Sequence, residues 1–494
     1  MARPSKRLQA GGTGSAVSQT TSPRGRRQRP LRVAGAAVCC AILVGIVSVT
    51  AYAAASSNKA ASGAQASAAA AVPGTTPLPA GSFGASTTKK VTITLQGGGG
   101  GSNLQAINYV IKAFEAKYPN IKVKLLLAGD TSQSTQGTLI SSSNPPDIVA
   151  ISPQASYYAQ LLSHHVLTPL TDLWAATSLK TRASSDVNSA FLGPDGKHYV
   201  VQNQKVFYGM AYYNVAMFQK LGIPAPVNHR FASLAQFYSD IAALKKGGEQ
   251  GLTIGGKSGY EEVWPVDAML PTASTKAQMA NFLTSYQSSV KLKYGFSSGP
   301  FLKTIQTLHD FLDHNVFQAG FLGADEAGSQ QPWLAGQAGM LLGGSWDAGG
   351  QRKAANFQYD WVLLPSIGVQ PTQLTAGLDG DWGIPVKSKH IAEAKLFLSF
   401  FLTNAMQTKA IVQIESNLPV VNLPQSSLAT LDPMVQQMLA DAQKNGAQSG
   451  WASTVPNVQA VVVSDLESMW AGGTSPVAVA QHVQQTIAQL RSGG

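Results

Sequence analysis

Three short stretches set tryptophan beside short acidic side chains and glycine: "GYEEVWPVD" (259–267), "GGSWDAGG" (343–350) and "LDGDWGIP" (378–385). An indole next to carboxylates suits sugar capture. The CH faces of a sugar ring lie on the aromatic face, and its hydroxyls meet donors and acceptors at the edge. Glycines on both sides of Trp346 remove neighbouring side chains and let another group approach the backbone. A tryptophan packed inside at a turn gives the same local sequence, so it is the repetition that points to a ligand. The pairs Glu261–Glu262 and Asp379/Asp381 carry a second chemistry, carboxylates that hydrolyse a glycosidic bond. That chemistry requires a defined separation in space, which sequence does not supply.

Other motifs carry less. "GLTIGGKS" (251–258) fits the phosphate-loop pattern G-x-x-x-x-G-K-[ST]. The pattern needs a strand before it and a helix after it. Here the helical segment "LAQFYSDIAALKKGG" precedes it, the strand-like "LTI" lies inside it, and Pro265 breaks the segment "GYEEVWP" on its C-terminal side. We read it as a loop coincidence. "GGGGGS" (97–102) could let a ligand approach the backbone or favour an anion at the next helix, but it lacks dinucleotide spacing. His309 and Asp313 lie four apart with nothing nearby to complete a metal site, so a solvated helix face is the expectation. H-E-x-x-H does not occur. No cofactor and no metal are implied.

The chain has 494 residues, enough for two or more folding units, with 44% hydrophobic and 12% charged residues. Its net charge of +11 comes from one end: residues 1–60 hold nine of the 36 basic residues and no acid, leaving 27 basic against 25 acidic residues. A nearly neutral body argues against nucleic acid as a partner. Both cysteines, Cys39 and Cys40, sit in the N-terminal apolar run, so the body has no disulfide, no thiol nucleophile and no cysteine-based metal site. Residues 1–32 are polar and basic, Val33–Ala55 carries no charge, and "AYA" (51–53) is an A-x-A signature. Residues 1–53 therefore read as an export signal or, uncleaved, a membrane anchor. Either way the basic flank stays inside and the body lies outside the cytoplasm. Residues 54–89, mostly Ala, Ser, Gly, Thr and Pro, read as a flexible tether.

From about Lys90 the pattern becomes periodic. "VTITL" (91–95) alternates. "NLQAINYVIKAFEAKYP" spaces Leu104, Ile107, Ile111, Phe114 and Tyr118 as a helix, with Ser102 placed to cap it and Pro119 to stop it. "IKVKLLL" (121–127) and "DIVAIS" (147–152) read as strands. The order predicts an α/β fold with βαβ units, whose Gly-rich turns after strands are favoured ligand sites.

The order of segments resembles the family 1 extracellular solute-binding proteins of ABC importers, the maltose-binding-protein-like carbohydrate type. "AFEAKYPNIKV" (113–123), "PPDIVAIS", "LTPLTDLW", "GKHYVVQNQKVFYGMAYYN", "MFQKLGIPAPVNHRFASLAQF", "WLAGQAGMLLGGSW" and "WGIPVKSKHIAEAKLFLSFFLT" come in family order. "HRF" stands where the family usually has Thr-Trp. The resemblance implies a two-lobed periplasmic-binding-protein-like fold (type II) joined by crossing hinge strands, with residues 90–205 and 386–417 as lobe one and 206–385 and 418–494 as lobe two. It implies a monomer that captures a carbohydrate in the interlobe cleft, delivers it to ABC permease subunits and catalyses nothing. By the same resemblance Trp346, with Asp347 beside it, and Trp264, with Glu261 beside it, are cleft residues. Asp379 and Trp382 precede the second crossover, and Ser102, Asn103 and Gln154 face them from lobe one. A further aromatic found in some relatives near the C-terminus is missing from "VQAVVVSDL" (458–466). A polyamine or organic anion as the solute, and an extracellular glycoside-cleaving enzyme, remain the alternatives.

Overall fold

The alternating stretch after Lys90 forms the first strand of an α/β architecture. The computed structural model describes residues 72–97, 101–127 and 133–492; the expected export signal or anchor (1–53) and residues 54–71 of the expected tether lie outside the described residues. Among these, twelve strands occur in chain order: β1 (Val91–Gly97), β2 (Ile121–Leu127), β3 (Val149–Ile151), β4 (Val200–Val201), β5 (Gln204–Asn214), β6 (Gln250–Thr253), β7 (Ala338–Gly344), β8 (Tyr359–Leu363), β9 (Leu374–Asp379), β10 (Asp381–Gly383), β11 (Leu418–Pro419) and β12 (Ala447–Ser449).

Lobe one begins as a βαβ unit. The helix Gly101–Lys117 buries Ala106, Ile107, Val110 and Phe114 along one stripe, as its 3.6-residue period requires. It returns the chain so that β2 runs parallel to β1, Val91 opposite Ile121. A parallel bridge from Leu95 to Ile148 brings in β3. β3 pairs antiparallel with β10, and β10 with β4. The helix Ile391–Phe401 closes one face with Phe397, Phe400 and Phe401, and Phe114 meets Phe397 edge-on at 5.1 Å.

Lobe two is built on β5, eleven residues long and buried throughout. Its first half pairs with β9, its second half with β7 and β8, and its start with β11. β6 extends the sheet from β7 and β12 extends it from β9. The helices Trp264–Ala273, Gly299–Asp313, Gln459–Trp470 and Pro476–Ser492 cover one face through Phe301, Ile305, Leu308, Val462, Leu466 and Ile487. The helix Pro433–Asn445 brings Val435, Met438 and Leu439 into the core that continues into lobe one. At Gly209 the pairing of β5 with β7 slips by one residue. Its φ of +71° and the Trp264 carbonyl oxygen, 3.1 Å from where a Cβ would stand, reserve this position for glycine.

The chain passes between the two sheets three times: at 202–204, from β4 to β5; at 379–381, from β9 to β10; and at 415–417, from the helix Gln407–Glu415 to β11. The second passage comes earlier in the chain than the boundary after residue 385 that the family resemblance implies. β10 belongs to the lobe-one sheet because Trp382 packs there, 5.0 Å from Phe401. Part of the expected tether also differs. Residues 72–89 lie on lobe one: the Leu78 carbonyl accepts from the Tyr118 hydroxyl at 2.6 Å, the Thr75 carbonyl from the Asn404 N–H at 3.1 Å, and Ala85 is buried in the core. No described helix is long and apolar enough to cross a membrane.

Candidate ligand-binding site

The three passages gather polar side chains into one strip. Gln204 at the start of β5 donates to Asp379 Oδ2 at 3.0 Å and accepts from the Asn417 amide at 2.9 Å. The Ser345 hydroxyl donates to Asn417 Oδ1 at 2.6 Å and accepts from the Phe207 N–H at 3.1 Å. From the first turn of the helix Gly101–Lys117, the Asn103 amide donates to both Glu415 oxygens at 3.4 Å. Asn203 lies against Gly380, its Nδ2 2.5 Å from where a Cβ would stand. Burial raises the Glu415 carboxyl to about 8, with the negative charge of Asp379 adding to the effect. Burial, and then Asp379, raise Asp381 well above the carboxylate range. Buried polar groups normally have partners. Here both side-chain polar atoms of Gln202, Asn203 Oδ1 and Asp381 Oδ1 have none in the protein.

Lobe two supplies aromatic rings. Trp264 opens its helix ahead of Pro265, and its ring lies 5.4 Å from Trp346, 5.7 Å from Tyr260 and 6.2 Å from Tyr208. Trp264 is 7% exposed, whereas Trp346 is half-buried. The Trp346 ring folds back over Gly344 so closely that a Cβ there would stand 2.1 Å from it. That glycine therefore makes room for the indole itself. Asp347 accepts from the Gly344 N–H at 3.2 Å at the start of the helix Ser345–Ala354, and burial raises it to about 7, helped by Glu326. Glu261 accepts from the Gly255 N–H at 2.7 Å and the Ser258 hydroxyl at 2.9 Å. The phosphate-loop look-alike "GLTIGGKS" thus holds one of the chain's own carboxylates. Burial, and then Glu326, raise Glu261 to about 8.

The two lobes touch where the Gln154 carbonyl, after β3, accepts from the Asn457 N–H at 3.1 Å. The Gln154 Oε1 is buried without a protein partner. A polar strip at the crossings between two sheets, with a group of edge-on and tilted rings on lobe two, suits a cleft that receptors close around a solute.

Comparison with known proteins agrees with this geometry. Residues 97–408 match the family described as bacterial extracellular solute-binding protein. The chain belongs to this family. An uncharacterized ABC transporter extracellular-binding protein of Pyrococcus horikoshii is 24% identical to this solute-binding protein over 320 residues, 61% of this chain and 66% of that protein, just under two thirds of its length. Among solved structures, a chitin oligosaccharide binding protein aligns with a TM-score of 0.68 at 19% identity, over 82% of this chain and 100% of that one. The GacH receptor of Streptomyces glaucescens, solved unliganded and with acarbose, aligns with 0.65 at 15% over 82% and 99%. A maltose-bound receptor of T. maritima aligns with 0.64 at 16% over 81% and 100%. These likenesses establish the two-lobed solute-receptor fold.

Within the solute-binding protein, the residues singled out from sequence separate into groups. Trp264 and Trp346 are in contact, and Glu261 and Asp347 both feel the charge of Glu326. Asp379 joins the crossing strip through Gln204, and Asn103 through Glu415, while Ser102 is half-buried at the start of the same helix. Trp382 stands apart from both groups. It is 3% exposed, packed against Phe397 and Phe401 in lobe one, because it alternates with Asp381 on β10 and takes the apolar side. His309, Asp310 and Asp313 bring ligand atoms within 4.8 Å of one another on the partly exposed surface of the helix Gly299–Asp313. Sequence reasoning missed Gln202, Asn203, Gln204, Glu415 and Asn417. The signal was present: "QNQK" (202–205) interrupts an otherwise apolar run from Tyr199 to Tyr213.

Proposed function

We infer that this solute-binding protein captures a carbohydrate between its lobes and delivers it to the permease subunits of an ABC importer. The observation that carries the reading is the pairing of the Trp264–Trp346 rings with a crossing strip in which both polar atoms of Gln202, Asn203 Oδ1 and Asp381 Oδ1 have no protein partner. Sugars offer both complements, apolar CH faces for the rings and dense hydroxyls for the strip. Among the similar structures, a chitin oligosaccharide binding protein and receptors solved with acarbose or maltose support the same class of ligand. Of the residues proposed from sequence, we retain Ser102, Asn103, Gln154, Glu261, Trp264, Trp346, Asp347 and Asp379 around the ligand, as contacts or as supports for contacts, and assign Trp382 to packing.

A thermal-shift screen against a panel of oligosaccharides tests the reading, since a ligand bound only by the folded state raises Tm by mass action. A selective shift with one sugar, recovered uncleaved after incubation, is the expected result. Shifts with amino acids or organic acids and none with any sugar would overturn it.

A further inference from the structure

One run of hydrogen bonds ties the turn that carries Trp346 to the crossings. Just past the end of β7, the Ser345 hydroxyl accepts from the Phe207 N–H at 3.1 Å, and its own proton goes to Asn417 Oδ1 at 2.6 Å. The Asn417 amide donates onward to Gln204 Oε1 at 2.9 Å, and the Gln204 amide to Asp379 Oδ2 at 3.0 Å. Ser345, Asn417 and Gln204 each accept from one neighbour and donate to the next, an order in which successive bonds polarise and strengthen one another. Gln204, Asp379 and Asn417 belong to the three different passages. Asn417 is fully enclosed and Ser345 is 1% exposed, so neither presents a surface to a ligand. The Asn417 backbone is held as well: its N–H donates to the Ile411 carbonyl at 3.0 Å. The helix Ser345–Ala354 rests on the same passage at a second place, where a Cβ on Gly349 would stand 3.2 Å from the Ser416 hydroxyl. Trp346 lies between two holds, Ser345 on the Asn417 side and Asp347, which takes the Gly344 N–H.

We propose that Asn417 is a positioning residue for the ligand: it fixes the first turn of the helix Ser345–Ala354, and with it the Trp346 ring, to the three passages. The proposal rests on the carbohydrate reading for its ligand and adds how the stacking ring is held. A ring on an unbraced turn gives up its other orientations when it stacks. A braced ring has given them up on folding, so more of its contact energy appears as affinity. Trp264 is held by the rings around it, whereas Trp346 is half-buried and has fewer neighbours to fix it, which is where a polar brace has an effect. Because the brace ends on all three passages, the ring moves with them as the lobes close.

Fluorine NMR of the full protein labelled with 5-fluorotryptophan, without ligand, reads the ring directly, with Trp346→Phe and Trp470→Phe assigning the two signals used. Asn417→Ala and Ser345→Ala should each shift or broaden the Trp346 signal and leave that of Trp470, packed against Phe317 and Phe321, in place. An unmoved Trp346 signal in both variants, or an equal disturbance of Trp470, overturns the proposal. Ser345→Ala removes one oxygen and leaves the three passages joined, so it decides the matter if Asn417→Ala does not fold. Calorimetric titration with maltotriose, N,N′-diacetylchitobiose and raffinose adds the ligand. With a sugar that binds, Asn417→Ala alone should weaken binding about two- to tenfold, and by less than about twofold when added to Trp346→Ala. Equal losses with and without Trp346→Ala would mean that Asn417 acts by some route other than the ring, and would overturn the proposal too. If none of the three sugars binds, the carbohydrate reading loses its support, and the fluorine signals, which need no ligand, still decide the role of Asn417.

Discussion

Trp264 and Trp346 touch, yet they stand in different surroundings. Trp264 is nearly enclosed, with Tyr208, Tyr260 and Trp346 around it, so Trp264→Ala should cost about 3–5 kcal/mol of stability through the cavity it leaves. Trp346 keeps part of its ring at the surface. Trp346→Ala should cost less in ligand-free stability and weaken sugar binding by about 1–3 kcal/mol, roughly ten- to a hundredfold. Melting temperature and affinity measured on the same two variants separate the roles. Glu415 gives a residue-scale expectation of a different kind. Its carboxyl rises on folding from 4.5 to about 8 because burial disfavours the charged form. The folded state therefore holds a proton that the unfolded state releases, and stability falls as pH climbs through that window. Glu261, raised to about 8, acts in the same direction. Tm of the ligand-free protein should decline from pH 4.5 towards pH 8, and Glu415→Gln should flatten the slope. A Tm that rises over this range would contradict the burial of these groups.

At the scale of elements, the helix Gly101–Lys117 and its flanking strands were legible because their apolar residues recur with periods of 3.6 and 2. The two rings that meet, Trp264 and Trp346, were legible as residues that stand out among glycines and acids. The crossing strip was not. Gln204 meets Asp379 only because β5 pairs with β9 across 175 positions of sequence, and no local pattern encodes that register. The same limit explains why sequence alone sets Trp382 near the ligand: its inward direction comes from the pairing of β10 with β3 and β4, not from its neighbours in the chain. The junction of β7 with the helix Ser345–Ala354 carries its own prediction. Gly344→Ala puts a methyl where the Trp346 ring lies. It should displace the ring, weaken ligand binding and cost about 1–3 kcal/mol of stability, as overpacking does. Affinity and Tm together read out both effects; an unaltered affinity would mean that the ring does not meet the ligand.

For the whole molecule, the described chain passes between the two sheets in three short segments, and a fold connected this way is expected to close on its ligand as hinged bodies. Small-angle scattering should give a smaller radius of gyration at saturating ligand. An unchanged radius with binding proven in the same sample would argue against closure. Where the N-terminal segment docks has a mechanical consequence. Residues 72–89 are fastened to lobe one by Tyr118, Asn404 and Glu393, which accepts from the Ser86 N–H at 2.9 Å. A load arriving along the chain from its N-terminal side is therefore carried by lobe one and never reaches the three passages. Lobe two hangs free of that line of force, so the protein can be held by its N-terminal side and still shut.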